Sequence, residues 1–195
     1  RLGAQHIFLV LFSLFLALLV GLPLGIVCFY WPRTGHAVLS VIGVIQTIPS
    51  LALLAFLISL LGLIGTVPAI LALFLYALLP IVQSTHAGFS EISSSMRQAA
   101  TALGLDFRLR LFLIEFPLAR TMILSGIKVA AVTSVGTATI AAFVGAGGFG
   151  ERIAQGLALN NTSMLLAGAI PSAALALLIQ GGFFIFERRW VHRRR

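Results

Sequence analysis

The side chains that could do chemistry are concentrated in residues 91–117, the longest polar interruption of an otherwise apolar chain. This polar segment holds three of the five acids together with three arginines: Glu91, Arg97, Asp106, Arg108, Arg110 and Glu115. Their spacing is typical neither of a metal site nor of a catalytic acid–base pair, and the four histidines of the chain are scattered. Such groups can cap helices, form ion pairs and contact another protein. We therefore predict a protein-binding segment; the alternative is an amphipathic connecting loop without a partner.

The local pattern of the polar segment predicts a short helix with small side chains on one face. Ser95 is a good N-cap, and Gln98 three residues later would complete a Ser-x-x-Gln capping box. Ala99 and Ala100 are strong helix formers, and their small side chains would let another surface approach closely. Gly104 is predicted to end this helix.

A second helix is predicted to follow at once. Asp106 is expected to cap its N-terminus. Pro117 suits the first turn of the helix after that, where its missing N–H costs little. The short helix would therefore be held between two bends.

The composition excludes an ordinary soluble domain. The chain of 195 residues is 59% hydrophobic and 9% charged, with a mean hydropathy of +1.09, whereas soluble domains carry about 25% charged residues. We predict an all-α integral membrane protein with one domain, residues 1–195. The single cysteine, Cys28, excludes an internal disulfide. In so apolar a chain the net charge of +8 indicates cytoplasmic loops and contacts with lipid headgroups, not nucleic acid.

Charge-free runs predict about five transmembrane helices, because about 20 apolar residues cross a bilayer. A cleaved signal peptide is the alternative for the first run, but the run is long and has no basic region beyond Arg1. The predicted spans lie near residues 7–30, 38–61, 67–86, 119–144 and 164–186, with the polar segment, 91–117, as a cytoplasmic loop between the third and fourth.

Two prolines fall inside the second and third spans. Pro49 and Pro80 should kink their helices and free backbone groups that neighbours must satisfy. The bends could serve packing alone, or they could line a path through the membrane. Gln46 and Thr47, just before Pro49, are polar groups that could face such a path.

The fourth span carries the only charge predicted to lie well inside the membrane, Lys128. It could reach the headgroups, make a contact between subunits, or take part directly in a pathway. Thr133, Thr137 and Thr139 lie in a run of small residues, which lets helices pack closely and lets hydroxyls hydrogen-bond across an interface. This helix is therefore the predicted contact with a second subunit.

The run Gly145 to Gly150 matches G-x-G-x-x-G literally. A dinucleotide site would need a preceding strand and a βαβ unit, whereas a membrane-length segment precedes this run. We predict a re-entrant or external loop, with Glu151 and Arg152 facing water.

Arginine placement predicts the orientation. Five spans put the termini on opposite sides, and placing the polar segment and the C-terminal tail inside puts ten of the thirteen basic residues there. Arg1 and Arg152 would lie outside, so the N-terminus is predicted to be outside and the C-terminus inside. The tail is expected to contact anionic lipid through Arg188, Arg189, Arg193, Arg194 and Arg195.

The polar segment also resembles the EAA motif of ABC-importer permeases, which is Glu-Ala-Ala, three residues, Gly, nine residues and Ile-x-Leu-Pro. The matching residues here are Ala99, Ala100, Gly104, Ile114 and Pro117. Gln98 stands in place of the glutamate and Phe116 in place of the leucine.

The resemblance implies a type I ABC-importer permease with a coupling helix that docks in a cleft of a cytoplasmic ATPase dimer. The implied coupling residues are Gln98, Ala99, Ala100, Gly104, Leu105, Ile114 and Pro117. The sequence has no phosphate-binding G-x-x-x-x-G-K, so ATP and Mg²⁺ would bind to the partner chain, and this chain would be neither an enzyme nor the holder of a cofactor or metal.

Residues 46–57, 136–157 and 168–178 resemble the osmoprotectant branch of these permeases, which imports glycine betaine, carnitine and choline. This implies a quaternary-ammonium solute, an external solute-binding protein and a second permease subunit, identical or sibling, in the cell membrane. A permease for methionine or another small solute, an ion-coupled carrier or channel, and an anchor without transport are the alternatives. A carrier usually needs an acid inside a span, and all five acids are predicted to lie outside the spans.

Overall fold

The computed structural model describes residues 1–191, with side chains through residue 188, and every regular element in this part of the chain is helical. The α-helices are α1 (Leu2–Tyr30), α2 (Pro32–Thr47), α3 (Ser50–Leu61), α4 (Thr66–Ser90), α5 (Ser94–Ala102), α6 (Phe107–Arg110), α7 (Phe116–Thr137), α8 (Gly150–Ala158) and α9 (Thr162–Val191). The predicted all-α class is confirmed.

The fourth predicted span is longer than expected. A π-helical turn, Leu111–Glu115, joins α6 to α7, and a 3₁₀ segment, Ala138–Val144, continues α7. Residues 107–144 therefore form one helical segment of 38 residues, whereas the predicted span begins at residue 119. Pro117 lies in the first turn of α7, as predicted, although the π-helical turn joins α7 to α6 without a break.

Helices α1 and α4 run parallel and pack through small residues. Gly21 faces Ile81, and Gly25 faces Thr85, so that a Cβ at Gly21 would lie 2.8 Å from the Ile81 side chain. Nearer the start of both helices, Leu9 packs in one cluster with Ile70. Contacting residues are thus about 60 positions apart throughout, which is the pattern of parallel helices.

The chain must therefore return across the membrane between α1 and α4. Helices α2 and α3 do this as a pair bent by 104°, where the sequence predicted a single span near 38–61. The bend lies at Ile48 and Pro49, which have extended backbone, because a residue before proline avoids the α conformation and proline cannot continue the ladder of hydrogen bonds. One end of the pair lies beside Cys28, where Gly35 packs on its carbonyl, and the other reaches Gly65, near Val144.

Helix α7 runs antiparallel to α4, with Gly126 against Pro80 and Ser84, and Gly88 against Ala119. Helix α9 then returns along α7. Within residues 1–191, four single helices are long and apolar enough to span a membrane, and the bent pair supplies a fifth crossing. Tyr30, Phe89 and Glu115 consequently lie at one end of the bundle.

The opposite end is closed by a glycine-rich loop and by α8, a helix that the sequence did not predict. Gly145, Gly147 and Gly148 have φ of 75°, 80° and 84°, conformations that favour glycine. The loop contacts α1, because His6 Nδ1 accepts from the Phe149 N–H at 3.4 Å while Nε2 lies 3.1 Å from the Val135 carbonyl.

Helix α9 includes Glu187 and Arg188 and is described as far as Val191, so these two residues lie in a helix, where the sequence predicted a tail. His192 and the final arginines of the predicted lipid-contacting tail, Arg193, Arg194 and Arg195, lie outside the described residues, as does the side chain of Arg189.

Candidate functional site

Helix α5 begins at Ser94, and its cap is Ser93, whose hydroxyl accepts from the Met96 N–H at 3.3 Å. The prediction that Ser95 caps this helix in a box with Gln98 is therefore wrong. Three serines in a row each suit the position, and the Ser95 hydroxyl instead lies 3.1 Å from that of Ser93. Helix α5 thus starts two residues earlier than the pattern indicated.

The end of α5 is a Schellman motif. Gly104 has φ of 79°, its N–H donates to the Thr101 carbonyl at 2.9 Å, and the Leu105 N–H donates to the Ala100 carbonyl at 3.2 Å. Asp106 then caps α6, with its carboxylate accepting from the Leu109 N–H at 2.8 Å. Gly104 and Asp106 therefore occupy the structural positions that were predicted for them.

The predicted coupling residues divide by exposure. Gln98, Ala99 and Gly104 are exposed, and the space around Gly104 is empty. Leu103 beside them is 81% exposed. The other four pack inward, with Ala100 fully buried and the rest half-buried: Ala100, Leu105, Ile114 and Pro117. Helix α5 thus has one small, open face and one face held against the protein.

Beneath this helix lies a buried charged cluster, which comprises Glu115, Arg97, Arg110 and Tyr30. The Glu115 side chain is 0% exposed. Its Oε1 accepts from Arg97 Nε at 3.0 Å and lies 3.2 Å from Arg110 Nε, while its Oε2 accepts a hydrogen bond from the Tyr30 hydroxyl. The cluster joins α5, α6, the π-helical turn and the end of α1 at one carboxylate.

Both arginines make further contacts that fix their side chains. Arg97 also donates to the carbonyl of Phe89, at the end of α4, and its guanidinium lies 4.3 Å from the centre of the Phe29 ring. Arg110 donates to the Thr101 hydroxyl at 3.1 Å. Because each arginine reaches two elements, the cluster ties α5 to the ends of α1 and α4.

The π-helical turn explains why Glu115 points inward. The Phe116 N–H donates to Leu111 five residues back, which is one residue more than in an α-helix. Pro117 lacks an N–H, and its ring crowds the carbonyl four residues earlier, so a wider turn is favoured at this place. The sequence prediction missed this cluster, although an acid in the apolar run LFLIEFP was a visible signal.

The polar residues near Pro49 hydrogen-bond to backbone carbonyls of α2 and α4. Gln46 Nε2 donates to the Tyr76 carbonyl at 3.1 Å, Thr47 donates to Val44 at 2.7 Å, and the Tyr76 hydroxyl donates to the Ile48 carbonyl. Gln46, Thr47 and Pro49 are all exposed. The bend thus presents polar groups at the surface of a membrane protein, while its freed carbonyl finds a donor on α4.

The three predicted threonines hydrogen-bond within their own helix. Their hydroxyls donate to carbonyls three or four residues back at 2.7 to 2.8 Å: Thr133 to Val129, Thr137 to Thr133, and Thr139 to Gly136. Thr133 and the neighbouring Gly136 are exposed, and Thr137 lines a small cavity with Ser50 and Tyr76. Thr137 and the Pro49 bend therefore lie side by side.

Lys128 has a partner that the sequence prediction missed. Its Nζ lies 3.0 Å from both carboxylate oxygens of Glu187, with 29% and 25% of the two side chains exposed. Glu187 was assigned to the tail, but it lies in α9, beside α7. The pair links the two helices within one chain.

Comparison with known families identifies the architecture. The family model described as "Binding-protein-dependent transport system inner membrane component" matches residues 8–192. The chain belongs to this family. It is an ABC-importer permease of the inner membrane, as the motif indicated.

Curated relatives align along most of the chain. It is 42% identical, over 96% of its length and 80% of the relative's, to "Osmoprotectant import permease protein OsmY" of Salmonella typhimurium. It is 41% identical, over 89% of its length and 76% of the relative's, to "Glycine betaine/carnitine/choline transport system permease protein OpuCD" of Bacillus subtilis.

A solved structure has the same fold as this chain. A chain from inward-facing conformations of the MetNI methionine ABC transporter superposes with a TM-score of 0.83, at 22% identity, covering 95% of this chain and 92% of that one. The predicted permease architecture is confirmed at the level of the fold.

Proposed function

We propose that this permease forms the translocation path for a small quaternary-ammonium osmoprotectant such as glycine betaine, carnitine or choline. The observation that carries the proposal is identity above 40% along about nine tenths of the chain to permeases whose names state these solutes or osmoprotectants in general. Such identity favours the osmoprotectant branch over the methionine branch, to which the chain is 22% identical in its fold match.

The permease is proposed to work as half of a pair, with an identical or sibling subunit completing the path. Its polar groups near the surface, which are exposed at the Pro49 bend and at Thr133 and half-buried at Thr137 and Thr139, support this arrangement. Polar groups facing lipid are costly, whereas they are favourable at a subunit contact or beside water. The Lys128–Glu187 pair, being made within one chain, supports a structural role for Lys128 and not a direct pathway role.

A separate ATPase dimer is proposed to drive the pair and to hold ATP and Mg²⁺. Helix α5 would bind in its cleft through Gln98, Ala99 and Gly104, while Ala100, Leu105, Ile114 and Pro117 hold the helix to the membrane domain. Closure of the ATPases would move the two α5 helices together, and the bundles would follow as rigid bodies to give alternating access. The permease itself would have no enzymatic activity.

An external solute-binding protein is proposed to deliver the solute and to make most of the selection. Quaternary ammonium groups are usually held by several aromatic rings. The cavity beside the Pro49 bend contains one aromatic residue, Tyr76, and its hydroxyl is already bonded to Ile48. Weak recognition in the path would also help a delivered solute to leave.

Reconstitution tests this function. The permease, its ATPase and its binding protein are placed in vesicles, and uptake of labelled glycine betaine, carnitine, choline and methionine is measured with and without ATP. We expect ATP-dependent uptake of at least one quaternary-ammonium solute. Uptake of methionine alone would contradict the solute class, and uptake driven by an ion gradient without the ATPase would contradict the coupling.

A further inference from the structure

We propose that Glu115 is a positioning residue, and that its buried charged cluster transmits movement of α5 to the membrane helices. The inference deepens the proposed function, on which it rests. It concerns the inward side of the polar segment, whereas the ATPase would contact the outward side.

Two stretches of chain connect α5 to the membrane helices: residues 91–93, in which Ile92 is buried, lead from α4, and residues 103–106 lead to α6. Between Ala102 and Phe107 the chain turns at Gly104, which has φ of 79°. Ala100 of α5 is buried, whereas α6 is exposed along most of its length. Movement of α5 towards α7 would be absorbed by the stretch of residues 103–106 and by the exposed α6 unless another contact transmitted it.

The cluster provides such a contact. Arg97 is on α5, and its guanidinium binds both Glu115 and the carbonyl that ends α4 at Phe89. Glu115 in turn accepts a hydrogen bond from the hydroxyl of Tyr30, at the end of α1. Arg97 therefore links α5 directly to α4 and to the segment that continues into α7, and it reaches the Tyr30 end of α1 through Glu115.

Three features make the cluster rigid. Glu115 has no exposed surface, so no water competes for its oxygens, and charge-assisted hydrogen bonds are short and directional. The Arg97 guanidinium lies against the Phe29 ring, which limits its rotamers. Arg110 supplies a second positive charge 3.2 Å from the same oxygen. Replacing the carboxylate by a neutral amide would leave both arginine charges without their counter-ion.

The π-helical turn places this carboxylate within the long helical segment and not on the loop. Since Glu115 belongs to the residues that continue directly into α7, a displacement of Arg97 acts on α7 without passing through residues 103–106. Single π-helical turns are common at functional sites, and here the turn aims one acid at the cluster. Movement of α5 and movement of α7 are therefore coupled through a side chain.

The test uses the complete complex in vesicles, with Glu115→Gln as the main variant and Tyr30→Phe as a milder one that removes only the hydroxyl. Glu151→Gln is the matched control, because it removes the same charge from α8 at the opposite end of the bundle. Uptake and ATP hydrolysis are measured together. We expect the Glu115→Gln complex to keep hydrolysis while the solute transported per ATP falls about tenfold, and Tyr30→Phe to show a smaller fall in the same direction.

Hydrogen exchange provides a readout that does not depend on transport. Amides of residues 94–102 should exchange about tenfold faster in Glu115→Gln, while Glu151→Gln leaves them unchanged. A native ratio of uptake to hydrolysis in Glu115→Gln would overturn the inference. So would a proportional loss of assembly, hydrolysis and uptake in both cluster variants, which indicates a purely structural role. If the unaltered complex shows no ATP-dependent uptake, the proposed function fails, and the exchange result still shows whether the cluster holds α5.

Discussion

Gly104 illustrates how much a single backbone conformation can decide. Its φ of 79° lies in the left-handed region, and a Cβ there would meet no atom within 4 Å. A larger residue would therefore be strained by its own backbone and not by its neighbours. Left-handed backbone costs a residue with a side chain about 1–2 kcal/mol.

We expect Gly104→Val to uncouple the transporter without unfolding it, because the strain falls on the end of α5. ATP hydrolysis should persist while uptake falls. Gly62→Val is a matched control, since Gly62 also ends a helix with positive φ, 64°, in open space. Both variants should lose similar stability in thermal unfolding, and normal uptake by Gly104→Val would contradict the assigned role of α5.

The Lys128–Glu187 pair gives a second prediction at the scale of residues. Lys128→Met leaves the Glu187 carboxylate, which is only 25% exposed, without its cation, and should cost about 1–3 kcal/mol of folding stability. The double variant Lys128→Met with Glu187→Leu should recover most of this loss. Thermal unfolding of the purified chain measures both, and a double variant no more stable than the single one would show that an unpaired Glu187 charge is not the cause of the loss.

What the sequence could predict at this scale depended on distance along the chain. Gly104 and Asp106 act within a few residues, and their positions followed from local rules. The Glu115 cluster joins residues 85 positions apart, and the Lys128 pair joins residues 59 apart, so neither was visible before the helices were placed. Among adjacent serines, local rules could not choose Ser93 over Ser95.

At the scale of elements, the α4–α7 contact is closest at one small residue, Gly126. A Cβ at Gly126 would lie 2.5 Å from the Pro80 carbonyl and still closer to Ser84. The backbones of the two helices can approach this closely only because Gly126 has no side chain.

We expect Gly126→Ala to push α4 and α7 apart and to cost about 1–3 kcal/mol. Gly136→Ala is the control on the same helix, because nothing lies within 4 Å of its Cβ position. Thermal unfolding of the two purified variants compares them. Equal stability would mean that the helices are already separated at Gly126.

Elements with a strong apolar run were predicted and weaker ones were missed. Helix α8 was missed because it is short and lies between glycine-rich and polar residues. Its one helical signal was the four-residue spacing of Glu151 and Gln155, where Gln155 Nε2 donates to the Glu151 carboxylate at 3.3 Å. The proline at position 49 predicted a kink, but not a bend of 104°, because local rules do not contain the packing of α3 against α4 and the 3₁₀ segment. The long helix from residue 107 was underestimated because its first turns are charged.

At the scale of the whole molecule, the parallel packing of α1 and α4 fixes five crossings and places the two described ends of the chain on opposite sides. Which side is cytoplasmic is a prediction from the arginines, ten of which would lie inside if the polar segment does. Length and hydropathy predicted the number of crossings, but the parallel pairing is a tertiary fact that no local pattern contains.

Cysteine labelling tests the orientation. Cys28 is buried, so a Cys28→Ala background allows single cysteines at the exposed positions Leu103 and Leu159. A membrane-impermeant maleimide added to intact cells should label Leu159→Cys and leave Leu103→Cys unlabelled until the cells are opened. The reverse pattern would place the polar segment outside and exclude its contact with a cytoplasmic ATPase.

The parallel α1–α4 pair also has a consequence for biosynthesis. Gly21 packs against Ile81, which is synthesised 60 residues later. At about 5–20 residues per second the ribosome needs about 3–12 s to make that stretch. During this interval the glycine-lined groove of α1 is uncovered in the insertion machinery. Substitutions at Gly21 or Gly25 should therefore reveal themselves first as nascent protein removed by membrane proteases, and only secondarily as a slow transporter.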